Sequence, residues 1–284
     1  MYRIGIIGSE NSHAMAFSEI FNLSGAYSDI KVTAVWGEDQ EASQNIHDKC
    51  GVAIMKPEAM LPNVDAVMVT SRNGKLHPGY VRPFIEAGKP AFIDKPIAND
   101  AREADEVMDL AQRKGIPLTG GSSLKLVDGT LAAKAFAQDQ ADKGELIGGY
   151  VFAPVSMVNE YGGFYFYASH LVEIALTVFG YTPLSATAFR GSSGVSAILE
   201  YAVFNVSLQF TDSVYNYGSV VLGKSGCDMR QITLANAYDR EVAHFAEMLK
   251  TGRMPQPYSE LAMPVHVLGA IEKAYTTGAS CAIR

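Results

Sequence analysis

Short apolar runs recur through the first 120 residues, each followed by a longer stretch of helical texture, and this alternation restricts the fold more than any other feature of the chain. The runs IGIIG (residues 4–8), DAVMVT (65–70) and AFID (91–94) are apolar at consecutive positions. A strand of that kind is buried on both faces, as central parallel strands are. Strands are expected over residues 3–7, 30–36, 66–70, 90–93 and 117–119, and helices over 12–22, 41–50, 78–87 and 100–114. Strands alternating with helices connect by right-handed crossovers and predict an α/β, doubly wound parallel sheet. Ligands of such sheets bind beyond the carboxyl ends of the strands. Here those ends are residues 8–12, 37–39, 70–73 and 94–96.

The texture changes after Gly121. A helix is expected over residues 130–143, then strands over 149–158, 185–189, 197–210, 214–221 and 229–233, with one apolar helix at 166–179. Helices over 238–250 and 260–276 close the chain. Strands gathered together and then helices predict an α+β domain with an open, mostly antiparallel sheet. The expected domains are therefore residues 1–121 and 122–284. The stretch SAILEYAVFNVSLQF gives the second sheet a large apolar content. Such a face needs a cover, which predicts a homo-oligomer paired through it.

Charge and cysteine usage narrow the partners. The 284 residues carry 23 Lys+Arg against 30 Asp+Glu, a net −7. An acidic surface repels phosphate backbones, and no Lys/Arg cluster offsets this, so nucleic acid is not expected as a partner. Cys50, Cys227 and Cys281 lie far apart with no C-x-x-C pair, which predicts thiols in a reducing compartment. The opening MYRIGIIGSE reads as a strand and its turn rather than a signal peptide, and no apolar run is long enough to span a bilayer. A cytoplasmic protein with no membrane partner is expected.

The first strand runs into Gly8-Ser9-Glu10-Asn11-Ser12-His13. A dinucleotide fingerprint reads G-x-G-x-x-G at this place. Only Gly8 remains, with Glu10 at the second glycine position and His13 at the third. A carboxylate about 4 Å from a phosphate costs roughly 1–4 kcal/mol, so Glu10 either points away or the turn holds its ligand differently. Asn11 and Ser12 can cap the following helix, whose N-terminus can still meet an anion. After the second strand, Gly37 stands where an acid would take the ribose hydroxyls of NAD, and Glu38 is the nearest substitute. Glu38 and Asp39 can equally cap the next helix. No Lys or Arg follows in that turn, which favours NAD over NADP.

Two further residues carry candidate chemistry. Lys95 follows a buried strand and precedes Pro96, which restricts its backbone and fixes the direction of its side chain. It can equally be a solvated loop lysine. His170 shares a helical face with Phe166, Glu173 and Ile174 and can be a core histidine or a proton carrier. The remaining histidines show no metal-ligand spacing, so no metal is expected.

Taken together, these residues resemble the glucose–fructose oxidoreductase and inositol dehydrogenase (Gfo/Idh/MocA) family. The resemblance rests on the RIGIIG opening, on VDAVMVTSRNGKLHPGYVRPFIEAGKPAFIDKPIA, on the GG…H segment before the helix ending at Gly180, and on the close from Tyr238. Asp94-Lys95-Pro96 is similar to the family's Glu-Lys-Pro signature. The resemblance implies an N-terminal Rossmann domain, a C-terminal substrate and oligomerisation domain, and hydride transfer between NAD(P) and a hydroxyl-bearing carbon of a sugar or cyclitol. It implies catalytic roles for Lys95 and His170. Gly8, Ser9, Asn11, Ser12, Glu38, Thr70, Ser71, Asn73, His77, Asp94 and Lys95 are expected to meet the cofactor. Ser123, Lys125, Tyr161, Lys95 and His170 are expected to meet a polyhydroxylated substrate, with Ser122 and Tyr165 nearby.

The chain departs from the family pattern at Phe166, where an aspartate is usual four residues before the histidine, and at Glu173, where an aspartate is frequent. Without a carboxylate at 166, His170 is expected to be poorly oriented. The alternative function is therefore a non-catalytic or regulatory ligand-binding relative that kept the fold and lost the proton relay.

Overall fold

The apolar runs become strands of a parallel sheet. In the computed structural model, which describes residues 1–212 and 214–284, the order along the first stretch is β1 (Tyr2–Ile7), α1 (Ser12–Asn22), β2 (Ile30–Trp36), α2 (Gln40–Cys50), β3 (Ala53–Ile54), α3 (Pro57–Met60), β4 (Ala66–Val69), α4 (His77–Glu86), β5 (Ala91–Asp94), α5 (Ala101–Lys114) and β6 (Leu118–Gly121). The six strands lie in the order β3-β2-β1-β4-β5-β6, all parallel. This is the doubly wound sheet expected, and every residue of β4 and β5 is buried. The two-residue β3 and the single turn α3 were not anticipated, because neither is long enough to show a periodicity. Local chemistry sets the helix ends: Asp39 and Asp100 cap α2 and α5, and Gly51 and Gly115 end them at φ 68° and 66°.

The remaining elements are α6 (Asp128–Asp142), β7 (Leu146–Val155), α7 (Phe164–Phe179), β8 (Ser185–Gly191), β9 (Gly194–Glu200), β10 (Asn205–Asp212), β11 (Tyr217–Gly223), β12 (Gly226–Ile232), α8 (Ala237–Thr251), α9 (Tyr258–Thr277) and β13 (Cys281–Ala282). Seven strands form a sheet in the order β12-β11-β7-β10-β9-β8-β13, antiparallel except between β7 and β10. The single strand expected over 197–210 is instead the hairpin β9–β10. Tyr201 N donates to Phe204 O at 2.9 Å, and the strands pair from Glu200↔Asn205 outward. Both strands alternate inward and outward residues, so the tight turn between them leaves no composition signal.

The long apolar helix α7 packs on this sheet. A Cβ on Gly149 of β7 would stand 2.3 Å from Phe179 Cζ, so only glycine lets the ring lie there. On the opposite face the register sets Ile198, Ser207, Tyr150, Val220 and Met229 side by side across five strands.

The chain divides into two compact units, Met1–Gly121 with Tyr238–Ala262, and Ser122–Ala237 with Met263–Arg284. In this division Tyr238–Ala262, expected with residues 122–284, groups with the first unit. The cause is burial: Val242, Phe245, Ala246, Met248 and Leu249 of α8 enter the same apolar cluster as Phe17, Phe21 and Phe92. Among the described residues, no helix is long and apolar enough to cross a membrane.

Candidate functional site

In the first unit the carboxyl ends of β1, β4 and β5 draw most of the expected cofactor residues into one network. Gly8 takes φ +109°, and a Cβ there would stand 2.1 Å from Ser71 N, so the first turn and the turn after β4 touch backbone to backbone. Thr70 Oγ1 donates to Gly8 O at 3.1 Å. Asn11 links three parts of the site. Its Oδ1 caps α1 by accepting from His13 N at 3.2 Å and lies 2.9 Å from His13 Nδ1, while its Nδ2 donates to Asp94 Oδ2 at 2.9 Å. Asp94 Oδ1 accepts from Lys95 N at 2.7 Å.

The other expected residues take supporting positions. Ser9 Oγ pairs with Ser43 Oγ at 2.8 Å, Ser12 Oγ with Tyr238 Oη at 2.9 Å, and Asn73 caps the short helical turn at residues 74–76. His77 is fully buried, with Nδ1 2.7 Å from Pro96 O and Nε2 2.7 Å from Ser71 O. Burial lowers its pKa, and the neutral ring carries a proton for only one of those carbonyls. The imidazole therefore joins the loops after β4 and β5. Glu38 is exposed beyond β2.

Beside Lys95 lies a cluster that spacing could not reveal. His13, Asp94 and Glu241 are all buried, and one ligating atom from each lies within 4.8 Å of the others. His13 Nε2 is 3.5 Å from Glu241 Oε2, and Nδ1 is 3.8 Å from Asp94 Oδ2. Burial works against charge on His13, but Asp94 and Glu241 outweigh it and raise its pKa. Lys95 is also buried; desolvation lowers its pKa, and Asp94 and Glu241 pull in the opposite direction. His and two carboxylates are also the donor set of a cation site. The residues come from positions 13, 94 and 241, which no motif joins. One signal existed: Glu241 sits on the apolar stripe of α8, in line with Phe245 and Met248.

A second polar cluster forms in the second unit around the start of α7. Ser122 Oγ is 2.7 Å from His170 Nδ1 and accepts from Leu124 N at 3.2 Å. Ser122 N donates to Glu173 Oε1 at 2.8 Å, and Lys125 Nζ lies 3.2 Å from Glu173 Oε2. The half-buried His170 ring lies 6.0 Å from Tyr167 and 6.1 Å from Tyr217, whose phenol is pushed up to about 12 by burial and then by Tyr167 and Tyr215. Ser122 Oγ, rather than a carboxylate at position 166, stands beside Nδ1. The Phe166 ring packs instead 5.0 Å from Tyr161 and 4.9 Å from Tyr167. Ser123, Lys125 and Tyr165 are buried, and Tyr161 is partly exposed.

Residues 2–122 match the sequence profile of the oxidoreductase family with an NAD-binding Rossmann fold, and the whole chain superposes on inositol dehydrogenase structures. Over residues 2–122 the chain is similar to the Gfo/Idh/MocA family. The chain is 30% identical over 142 residues to the inositol 2-dehydrogenase of Agrobacterium fabrum, covering 48% of this chain and 41% of that one. It thus spans less than half the length of that curated relative. Myo-inositol 2-dehydrogenase from Lactobacillus plantarum matches over 100% of this chain and 99% of its own, with TM-score 0.85 and 16% identity. Scyllo-inositol dehydrogenase from Lactobacillus casei, solved with NAD(H) and scyllo-inositol, matches over 100% and 99% with TM-score 0.82 and 14% identity. At such identities these structures establish that the chain shares their fold.

Proposed function

We propose that this protein is an NAD(H)-dependent oxidoreductase acting on a hydroxyl-bearing carbon of a cyclitol- or sugar-like polyol. The observation that carries the reading is the intact Asp94-Lys95-Pro96 turn, with Lys95 buried among Asp94 and Glu241 at the end of β5. The first unit fits the cofactor on its own geometry. Its β1–α1 turn keeps the glycine that allows close backbone approach, and a cavity of about 860 Å³ walled by Trp36, Tyr80, Leu76 and Pro83 has room for an adenine. NAD(H), when bound, supplies the hydride acceptor or donor.

The chain's own groups supply the proton chemistry. The Lys95 ammonium donates a hydrogen bond to the reacting oxygen and favours its alkoxide. In the second unit His170 is the candidate for proton exchange, its ring held by Ser122 Oγ at 2.7 Å from Nδ1. NAD is preferred to NADP because the turn after β2 is acidic. The exposed face of the second sheet joins copies of the chain, and the sparse thiols suit a reducing cytoplasm.

Fluorescence titration with NADH and NADPH, followed by turnover on a panel of inositols, sugars and their keto forms, tests this reading. NADH binding with turnover of a polyol is expected. Binding without turnover on any member would favour the regulatory alternative, and absence of binding would refute the reading.

A further inference from the structure

We propose that Glu10 takes the adenosine-ribose hydroxyls of NAD(H), doing from the first turn what an acid at the end of β2 does in other dinucleotide-binding sheets. The proposal rests on the reading of the first unit as the NAD(H) site.

The end of β2 cannot carry that acid in this chain. A Cβ on Gly37 would stand 2.1 Å from Ser9 Oγ, 2.7 Å from Ser9 N and 2.8 Å from Glu10 Oε2. Ser9 N is backbone, fixed by its own bond to Trp36 O at 3.3 Å, so no side chain fits at position 37 without shifting the turn. What lies against the strand end is the carboxylate of Glu10. The second fingerprint glycine and the β2 acid have in effect exchanged places: position 10 has gained the carboxylate and position 37 has become glycine.

Geometry also sets this carboxylate to receive a donor. Oε1 accepts from Arg72 N at 3.3 Å, which ties Glu10 to the turn after β4. Oε2 is shielded from water and has no hydrogen-bond partner among the described residues, while Glu10 as a whole remains partly exposed. A carboxylate has acceptor capacity beyond the one N–H it takes here, and a ribose hydroxyl can fill it. Tyr80 relates this carboxylate to the cavity of about 860 Å³. This tyrosine lines the cavity, contacts Trp36 edge-on at 5.8 Å, and has its phenol raised by burial, then by Glu38 and Glu10. Glu38, the acid adjacent to Gly37 in sequence, points to exposed positions of the loop and serves as the comparison.

The experiment measures dissociation constants of NADH, its adenosine 2′-deoxy analogue and NADPH for the wild type, Glu10→Gln and Glu38→Gln, with melting curves as a check on folding. The wild type is expected to lose about tenfold or more when the 2′-hydroxyl is removed. Glu10→Gln should weaken NADH by a similar factor, leave the 2′-deoxy analogue unaffected and narrow the preference over NADPH. Glu38→Gln should retain the full 2′-deoxy penalty, with any change confined to the preference over NADPH. If Glu10→Gln does not fold, a 2′-deoxy penalty retained in Glu38→Gln still supports the proposal, and one abolished there overturns it. Wild-type NADH affinity in a folded Glu10→Gln overturns the proposal while leaving the NAD(H) reading intact. Failure of the wild type to bind NADH or NADPH overturns both.

Discussion

Ser122 Oγ lies 2.7 Å from His170 Nδ1, and the Ser122 N–H donates to Glu173 one turn further along the same helix. A single residue thus fixes the imidazole and is itself fixed by a buried carboxylate, which Lys125 neutralises at 3.2 Å. This arrangement holds the ring on a helix that carries Phe166, not a carboxylate, four residues earlier. Its consequences can be measured.

Ser122→Ala should lower kcat by about tenfold with a smaller change in KM, because the histidine loses its orienting partner and not a substrate contact. The same change removes a cap, since Ser122 Oγ accepts from Leu124 N, and should cost about 1 kcal/mol of stability. Ser122→Thr should restore most of the rate. Steady-state kinetics with a pH profile, and melting curves, check both effects.

His170→Ala and Lys95→Ala should each reduce kcat/KM by roughly 10²–10⁴ on whichever polyol is turned over. Phe166→Asp should bring no gain in rate. Its ring is engaged with Tyr161 and Tyr167, and a carboxylate there would lose that packing, so its melting temperature should fall. A rate increase in Phe166→Asp would show that the serine does not replace the missing acid.

The buried His13 should make stability depend on pH. Desolvation opposes its charge, but Asp94 of β5 and Glu241 of α8 prevail, with Lys95 adding a smaller repulsion, and the folded-state pKa lies above the ordinary value of 6.5. A raised histidine pKa contributes stability that is complete below the unfolded value and is lost as pH rises through the folded one. The melting temperature should therefore fall from about pH 6 upward through that raised value. His13→Phe should flatten this part of the profile, as followed by circular dichroism across the range.

The exposed face of the second sheet should pair copies of the chain. Phe189 is 67% exposed and Met229 73%, and Tyr150 and Ile198 share the face with them in register. Light scattering should give a mass at least twice 30.6 kDa. Ile198→Lys together with Met229→Glu should return it to that value without lowering the melting temperature of the separate chain.

The strand–helix alternation, the parallel sheet and its binding edge were legible in the chain, because IGIIG and AFID are apolar on consecutive positions and a strand with both faces buried has few alternatives. Lys95 and His170 were likewise legible as candidates, since local motifs carry them. The hairpin between β9 and β10 was not, because two alternating strands joined by a tight turn read as one. Nor could sequence separation bring Tyr238–Ala262 back to the first unit, where Phe245 and Leu249 find the apolar surface they bury against. Ser122 beside His170 and Glu10 against Gly37 are contacts between positions 48 and 27 residues apart. Local pattern determines which elements form and which faces they bury. Which polar atoms then meet at hydrogen-bond distance is decided only when packing fixes the backbones that carry them.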